Sequence, residues 1–263
     1  MSESLELKVS RFIEFNRLMI KSAIQDHNLD HQGVPAKVLL CSILDSLSKS
    51  RFSGVLSNGK RFISMLDACS DWEEKDHVSL LHLARAFEIE PHESSDFSEA
   101  KVWISQQMER RFRLSNRLLS VQMKIANDPS MGSVLERWPK NSDGSPKALG
   151  GLNLSKIQHK SLLWSYRNSL VHEYRIPGRG AERRLGQDSS AYYQQVSAVE
   201  GLDLENGLRF SNRWELIYPT GFFRSLAEHV LQRVAEFHLL NGSCPFAAYS
   251  QGSYWIPAYN DEF

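Results

Sequence analysis

The segment WSYRNSLVHEYR, residues 164–175, brings together side chains suited to acid–base chemistry beside an anion. Arg167 is a permanent cation, and its planar fork of donors matches a phosphate group. His172 follows four intervening residues later, and a histidine accepts and returns protons near neutral pH. Asn168 lies between them in sequence and can orient a bound phosphate or the imidazole.

A helix over this segment gives Arg167 a costly position. At 100° per residue, Arg167 falls inside a broad apolar arc, between Leu170 and Val171. A cation there must be paired, either by a carboxylate of this chain or by an anionic ligand. Asn168 and His172, spaced i, i+4, face a cleft together at the edge of the arc. Arg167 and His172 are about 140° apart, so the arginine must reach around the helix, or a second protomer must complete the site.

The motif resembles the R-x4-6-H signature of the HEPN superfamily, in which a polar residue often follows the arginine. Arg167, His172 and Tyr174 match the R-x4-H-x-Y variant of HEPN toxins that are paired with nucleotidyltransferase antitoxins. The bare pattern has low specificity, since this chain contains it four times where chance gives about two. Among those matches, the one at Arg167 has Asn168 directly after the arginine and is the only one that continues as His-x-Tyr.

The resemblance implies a metal-independent endoribonuclease that needs no cofactor. In such enzymes the substrate's own 2′-hydroxyl attacks phosphorus, so the protein supplies a proton carrier and a cation. Arg167 would stabilise the phosphorane, His172 would act as acid and base, and Asn168 would orient the phosphate or the histidine. His172 also lies in the last turn before Pro177, where a helix C-terminus favours a protonated imidazole.

The resemblance also implies partners. Two HEPN motifs usually meet at a dimer interface, so a homodimer is the expected working form. Related domains are toxins and anti-phage effectors, which implies an antitoxin or another defence-system protein as partner. In the paired toxins the partner adenylylates the tyrosine that matches Tyr174, so this residue is a candidate for modification or for support of the site.

Further basic residues near the motif are candidate contacts for RNA phosphates. Lys160 lies two turns before Arg167 on the same line of the helix. The segment RIPGRGAERR, residues 175–184, adds four arginines: Arg175, Arg179, Arg183 and Arg184. A loop that grips RNA and an ordinary solvated loop are equally supported by this composition.

Composition and charge exclude several classes of protein. With 31 basic and 31 acidic residues the net charge is zero, which excludes nucleic-acid binding driven by bulk charge. The three cysteines lie far apart, which fits a reducing compartment. We expect a cytoplasmic protein without a membrane span, since no secretory signal and no long apolar run is present. We expect no metal site, because His27 and His31, which are spaced i, i+4, lie where Asn28 and Gly33 interrupt the helix.

Helical periodicity dominates the chain and predicts a mainly α fold. Helices are predicted at 5–25, 35–47, 60–69, from near Asp76 to Pro91, along an amphipathic segment at 96–126, at 155–175, and from Thr220 to Asn241-Gly242. Residues 138–151 are typical of a loop. A β-hairpin is predicted at about 190–218, with Asn206-Gly207 as its turn.

We therefore expect one mainly helical domain over residues 1–263: a HEPN-like helical bundle with extra N-terminal helices and a small β-hairpin insertion. Residues 1–95 form the N-terminal helical part, 96–242 the HEPN-like core and 243–263 an irregular tail. The core joins 97–126, 154–176 and 219–242.

Two alternatives to the ribonuclease stay open. One is a non-catalytic HEPN-like module that binds RNA, a nucleotide or a protein partner. The other is a helical interaction protein in which Arg167 is salt-bridged internally. A buried Asp or Glu within hydrogen-bond reach of Arg167 favours this last alternative.

Overall fold

Helices form most of the ordered elements in the computed structural model, which describes residues 3–25, 33–54, 57–90, 95–114, 122–178, 180–182, 188–203 and 207–249. The helices are α1 (Leu5–Ile24), α2 (Val34–Arg51), α3 (Asn58–Cys69), α4 (Leu80–Ile89), α5 (Ser98–Arg111), α6 (Met131–Leu135), α7 (His159–Glu173) and α8 (Thr220–Leu240). The strands are β1 (Gln122–Lys124), β2 (Tyr192–Asp203) and β3 (Gly207–Ile217). The predicted mainly α fold is confirmed. Within these ranges no helix has the length and apolar character needed to cross a membrane.

The predicted start of α4 near Asp76 is wrong. The helix begins at Leu80, where the Ser79 side chain caps it by accepting the backbone N–H of His82. Asp76 instead ends a short 3₁₀ turn, Glu73–Asp76. The two residues that follow it are extended and form isolated bridges, His77 with Ser130 and Val78 with Gln158, so the chain there is tied to other segments before the helix starts.

The predicted helical segment at 96–126 is also wrong beyond α5. The helix ends at Arg111, and the backbone carbonyl of Phe112 accepts the indole N–H of Trp214 at 2.9 Å. Residues 122–124 then form β1, which pairs antiparallel with β2. Strand pairing therefore overrides the helical periodicity of this segment.

The predicted β-hairpin is confirmed as the antiparallel pair β2–β3. Its register aligns Tyr192 with Ile217 and Asp203 with Gly207. Asn206 lies outside the described residues. The sheet has the order β1-β2-β3, and its third strand, β1, was not predicted.

Helix α2 is the centre of the helical packing. It contacts α1, α3, α7 and α8, and it carries the buried apolar residues Leu40, Leu44 and Leu47. Helix α7 packs mainly against α2 and α3 rather than against α5, although its Tyr166 also stacks on Phe223 of α8 at 6.0 Å. The N-terminal helices are therefore part of the main core instead of additions to it, and they supply the surroundings of the motif.

Candidate active site

Helix α7 carries the motif and ends where the sequence predicted. Its inner face is formed by Leu163, Tyr166 and Leu170, which are buried. Tyr174 ends the helix in the left-handed conformation, with φ 52° and ψ 35°, and its N–H donates to Leu170 O at 3.1 Å. His172 therefore lies in the last turn of the helix, close to its C-terminal end.

Arg167 is paired by a carboxylate of this chain. Its Nε donates to Asp45 Oδ2 at 2.9 Å, and its Nη2 donates to the same oxygen. The side chains are 11% exposed for Arg167 and 28% exposed for Asp45, so the pair is largely sheltered from water. A carboxylate in this position is the feature that favours an internally salt-bridged arginine. The pair by itself therefore does not identify a catalytic site.

An aromatic ring fixes the guanidinium from a second direction. The Trp164 ring lies 5.0 Å from Arg167 Cζ, a cation–π contact, and it packs against Phe62 of α3 at 5.4 Å. Gly59 of α3 permits this approach, because a Cβ there would come within 3.1 Å of the indole. Asp45 and Trp164 together restrict both the position and the plane of the Arg167 side chain.

The third guanidinium nitrogen turns towards the other motif residues. Arg167 Nη1 donates to Asn168 Oδ1 at 3.0 Å and lies 3.5 Å from His172 Nε2. The arginine thus reaches around the helix within one protomer, which is the first of the two arrangements that the sequence allowed. A guanidinium only donates, so this contact requires an unprotonated Nε2 on His172. His172 itself is exposed.

The charge of Asp45 depends on its neighbours. Burial raises the pKa of this carboxyl above its ordinary value, while the hydrogen bonds and charge of Arg167 act to lower it. Arg61 and His172 also favour the ionised form. Asp45 therefore belongs electrostatically to the motif, although it is 122 residues away in sequence.

The other predicted site residues are placed differently. Tyr174 is 73% exposed. Lys160 donates to Asp67 at 2.8 Å and contacts Asp76 at 2.7 Å, so two carboxylates already occupy this predicted RNA contact. Arg175 is exposed and pairs with Glu173. Arg179, Arg183 and Arg184 lie outside the described residues.

The described part of the arginine-containing segment is packed rather than solvated. The side chain of Glu182 is buried, contacts Lys37 at 2.5 Å and accepts the N–H of Thr220 at 2.9 Å. Gly180 lies so close to Ile217 that a Cβ there would overlap it. Residues 180–182 are therefore anchored to α2, β3 and the first turn of α8, and the solvated-loop alternative does not describe them.

Sequence reasoning missed Asp45. The position of Arg167 required an anion, but the chain has 31 acidic residues and spacing gave no way to choose among them. The one local signal is that Asp45 lies between the apolar residues Leu44 and Leu47, on a helix with eight buried residues. A carboxylate at such a position needs a cation as partner.

Comparisons with known proteins give no family for this chain: no family model, no curated protein and no solved structure matches it. Within the described ranges, no three His, Cys, Asp or Glu side chains are grouped to hold a metal ion. His27 and His31 lie outside those ranges.

Proposed function

We propose that this protein is a metal-independent endoribonuclease of the HEPN type that works as a cytoplasmic homodimer. One observation supports this most directly. Arg167 Nη1 lies beside both Asn168 and the exposed His172, while Asp45 holds the opposite edge of the same guanidinium. A fixed cation and an accessible proton carrier are what cleavage through the 2′-hydroxyl needs from a protein.

The proposed reaction gives a role to Arg167, to Asn168 and to His172 of both subunits. His172 Nε2 accepts the proton of the 2′-hydroxyl, and the 2′-oxygen forms a bond to phosphorus. Arg167 donates to the phosphorane oxygens as negative charge develops on them, and Asn168 keeps the arginine or the phosphate oriented. The bond from phosphorus to the 5′-oxygen breaks, and the leaving oxygen takes a proton from the partner subunit's His172. The products are a 2′,3′-cyclic phosphate and a 5′-hydroxyl.

Asp45 is compatible with this reaction as a positioning residue. It uses a single carboxylate oxygen to bind Nε and Nη2, so the Nη1 edge remains turned to His172. Holding a long side chain in one geometry before the substrate binds removes an entropic cost from the reaction.

The experiment is RNA cleavage by the purified full-length chain in excess EDTA. We expect wild type to leave 2′,3′-cyclic phosphate ends, and Arg167→Ala and His172→Ala to abolish cleavage. His229→Ala, which removes another exposed histidine, on α8, is the matched control and should keep full activity. Cleavage that needs a divalent ion, or that survives His172→Ala, contradicts the proposal.

A second candidate function is a helical interaction protein, and the Asp45–Arg167 pair favours it. If the pair only holds α7 on α2, Asp45→Ala and Arg167→Ala should be coupled in unfolding free energy, and wild type should not cleave RNA. The non-catalytic HEPN-like module differs again, since His172→Ala would leave RNA or nucleotide binding intact without any cleavage by wild type.

The proposal includes a role as a toxin or anti-phage effector with an antitoxin or defence partner. The exposed ring of Tyr174 supports modification of this tyrosine. If a nucleotidyltransferase is encoded beside this protein, incubation with that enzyme and ATP should add one nucleotide to Tyr174. An unchanged mass contradicts this part of the proposal.

A further inference from the structure

A cleft of about 820 Å³ lies on the side of α7 that faces away from Arg167. It is formed by α4, α7, β3 and the segment after α7, where Gly178 approaches Glu215. Ser165 and Ser169 line it on α7, and they precede His172 by seven and three residues. Because these spacings place the three side chains along one line of a helix, the cleft continues from the exposed histidine.

Two arginines flank one buried carboxylate in this cleft. Arg213 Nε lies 2.6 Å from Glu215 Oε1, and Arg85 Nη2 lies 3.8 Å from Glu215 Oε2 and donates to Trp214 O at 2.6 Å. Among the described residues, Arg213 Nε is buried and makes no hydrogen bond, so its contact with Glu215 is an ion pair only. Glu88 also lines the cleft and is exposed, and the side chains of Arg85 and Arg213 are 36% and 41% exposed. The lining therefore offers guanidinium donors that Glu215 does not occupy.

His82 adds a neutral hydrogen-bond acceptor. The Tyr193 hydroxyl donates to Asp128 Oδ2 at 2.5 Å, so it must accept from Ser79 Oγ, 2.7 Å away. The hydroxyl hydrogen of Ser79 is then already donated to Tyr193, so Ser79 Oγ must accept from His82 Nδ1 at 2.8 Å. The lone pair of His82 is thus on Nε2, and His82 lines the cleft. Burial supports this state, since it lowers the pKa of His82 to about 3.

We propose that this cleft binds one unstacked nucleotide of a single-stranded RNA, with the phosphodiester on Arg85 and Arg213. This inference rests on the proposed function, because it places the strand along α7 next to His172. A phosphodiester presents two anionic oxygens, which suit the guanidinium donors of the two arginines. The apolar walls, which include Leu81, Leu162 and Leu216, suit the base and sugar, and His82 accepts from a base N–H.

The test measures binding of a short labelled single-stranded RNA to full-length His172→Ala, which does not cleave it. Adding Arg213→Gln should weaken binding about 10-fold at 0.1 M salt and reduce the slope of log K against log salt by about 0.7, one phosphate contact. Arg224→Gln is the matched control, because Arg224 is an exposed arginine on α8 paired with Glu228, and it should change neither quantity.

A second variant separates the cleft from any change in folding at Arg213. Ala84→Phe adds a ring to the α4 wall of the cleft without changing charge. It should weaken RNA binding and leave the salt slope as it was. A hairpin RNA, whose paired bases cannot be unstacked cheaply, should bind more weakly than the single strand in the parent protein.

Failure of this inference is distinguishable from failure of the proposed function. If wild type cleaves RNA but Arg213→Gln and Ala84→Phe bind it like the parent, the cleft inference is overturned and the ribonuclease stands. Equal binding of hairpin and single strand also overturns the inference. If both cleft variants weaken binding while wild type never cleaves, the inference is supported and the ribonuclease is contradicted.

Discussion

The two ends of helix α7 each carry a histidine, and the two histidines have opposite surroundings. His159, at the first residue of the helix, is fully buried, and its Nε2 lies 2.8 Å from Asp128 Oδ2. His172, in the last turn, is exposed and lies 3.5 Å from Arg167. The same residue type thus belongs to the core at one end and to a surface cluster at the other. Residue type does not tell a structural histidine from a catalytic candidate. The exposure of the imidazole to solvent does, because only an exposed ring can meet a substrate.

The buried end of α7 is part of a network that joins four segments. Asp128 accepts hydrogen bonds from Tyr193 and interacts with His159, and Tyr193 continues the network through Ser79 to His82. Breaking these buried contacts is costly, because a removed partner leaves another group without a hydrogen bond. Asp128 Oδ1 and His159 Nδ1 already have no hydrogen-bond partner among the described residues. This network therefore fixes where α7 starts, and the helix then sets the position of the motif.

The largest expected effect is the loss of stability in His159→Ala. The substitution removes one partner of the buried Asp128 and opens a cavity, so the free energy of unfolding should fall by about 3 kcal/mol. Urea denaturation measures this, with His229→Ala as an exposed-histidine control that changes it by less than about 0.5 kcal/mol. If His159→Ala is as stable as wild type but no longer cleaves RNA, the start of α7 serves the reaction instead of stability, which contradicts the comparison.

The second-largest expected effect is a slower RNA cleavage in Asp45→Asn, which tests the exposed, C-terminal end of α7. Asp45→Asn keeps the shape but removes the charge that holds Arg167, so the RNA cleavage rate should fall about 10- to 100-fold, in kcat more than in KM. Asp67→Asn is the matched control, because Asp67 pairs with Lys160 and lies away from Arg167, and it should keep the rate. If Asp45→Asn lowers stability and leaves cleavage unchanged, the pair only supports the fold.

From the sequence, we could predict the helix that carries the motif and the need for an anionic partner near Arg167. We could not predict which residue is that partner. Periodicity and the Pro177-Gly178 stop are local signals, so they located α7 to within a few residues. Asp45 lies in another helix, and only the packing of α2 against α7 brings it to Arg167. The strand β1 was missed for the same reason, since its conformation depends on pairing with β2.

The third prediction uses pH to follow the buried network. Burial, with the nearby charges of Arg85 and His159, lowers the pKa of His82 from 6.5 to about 3. Between these values the unfolded chain binds a proton that the folded protein does not, so stability is lost as the pH falls from 6.5 towards 3. One such proton contributes about 1.4 kcal/mol per pH unit.

Unfolding of His82→Asn against pH checks this contribution. The slope between pH 6 and 4 should be shallower than in wild type by about 1.4 kcal/mol per pH unit. His172→Ala, which removes a histidine of the exposed end, is the control for the loss of a histidine as such. An unchanged slope in His82→Asn would mean that the network does not keep this ring neutral.

The smallest effect concerns the last residue that shapes the exposed end. Tyr174 has a positive φ of 52°, which costs free energy for any residue with a Cβ, and its ring is 73% exposed and gains little from packing. Tyr174→Gly should therefore raise the free energy of unfolding by about 0.5–1 kcal/mol. Tyr174→Ala is the control, because it removes the ring and keeps the strained conformation, so it should change stability by less than about 0.5 kcal/mol.

If Tyr174→Gly raises the free energy of unfolding, the tyrosine is retained at a cost to stability. Residues held in such conformations concentrate at functional sites, so this outcome should be accompanied by slower RNA cleavage or by loss of adenylylation in the glycine variant. Greater stability with both properties unchanged would limit Tyr174 to ending the helix. Lower stability would show that the Tyr174 ring packs against the protein. Tyr174 would then contribute to stability, and the exposed, non-stabilising end of α7 would include His172 but not Tyr174.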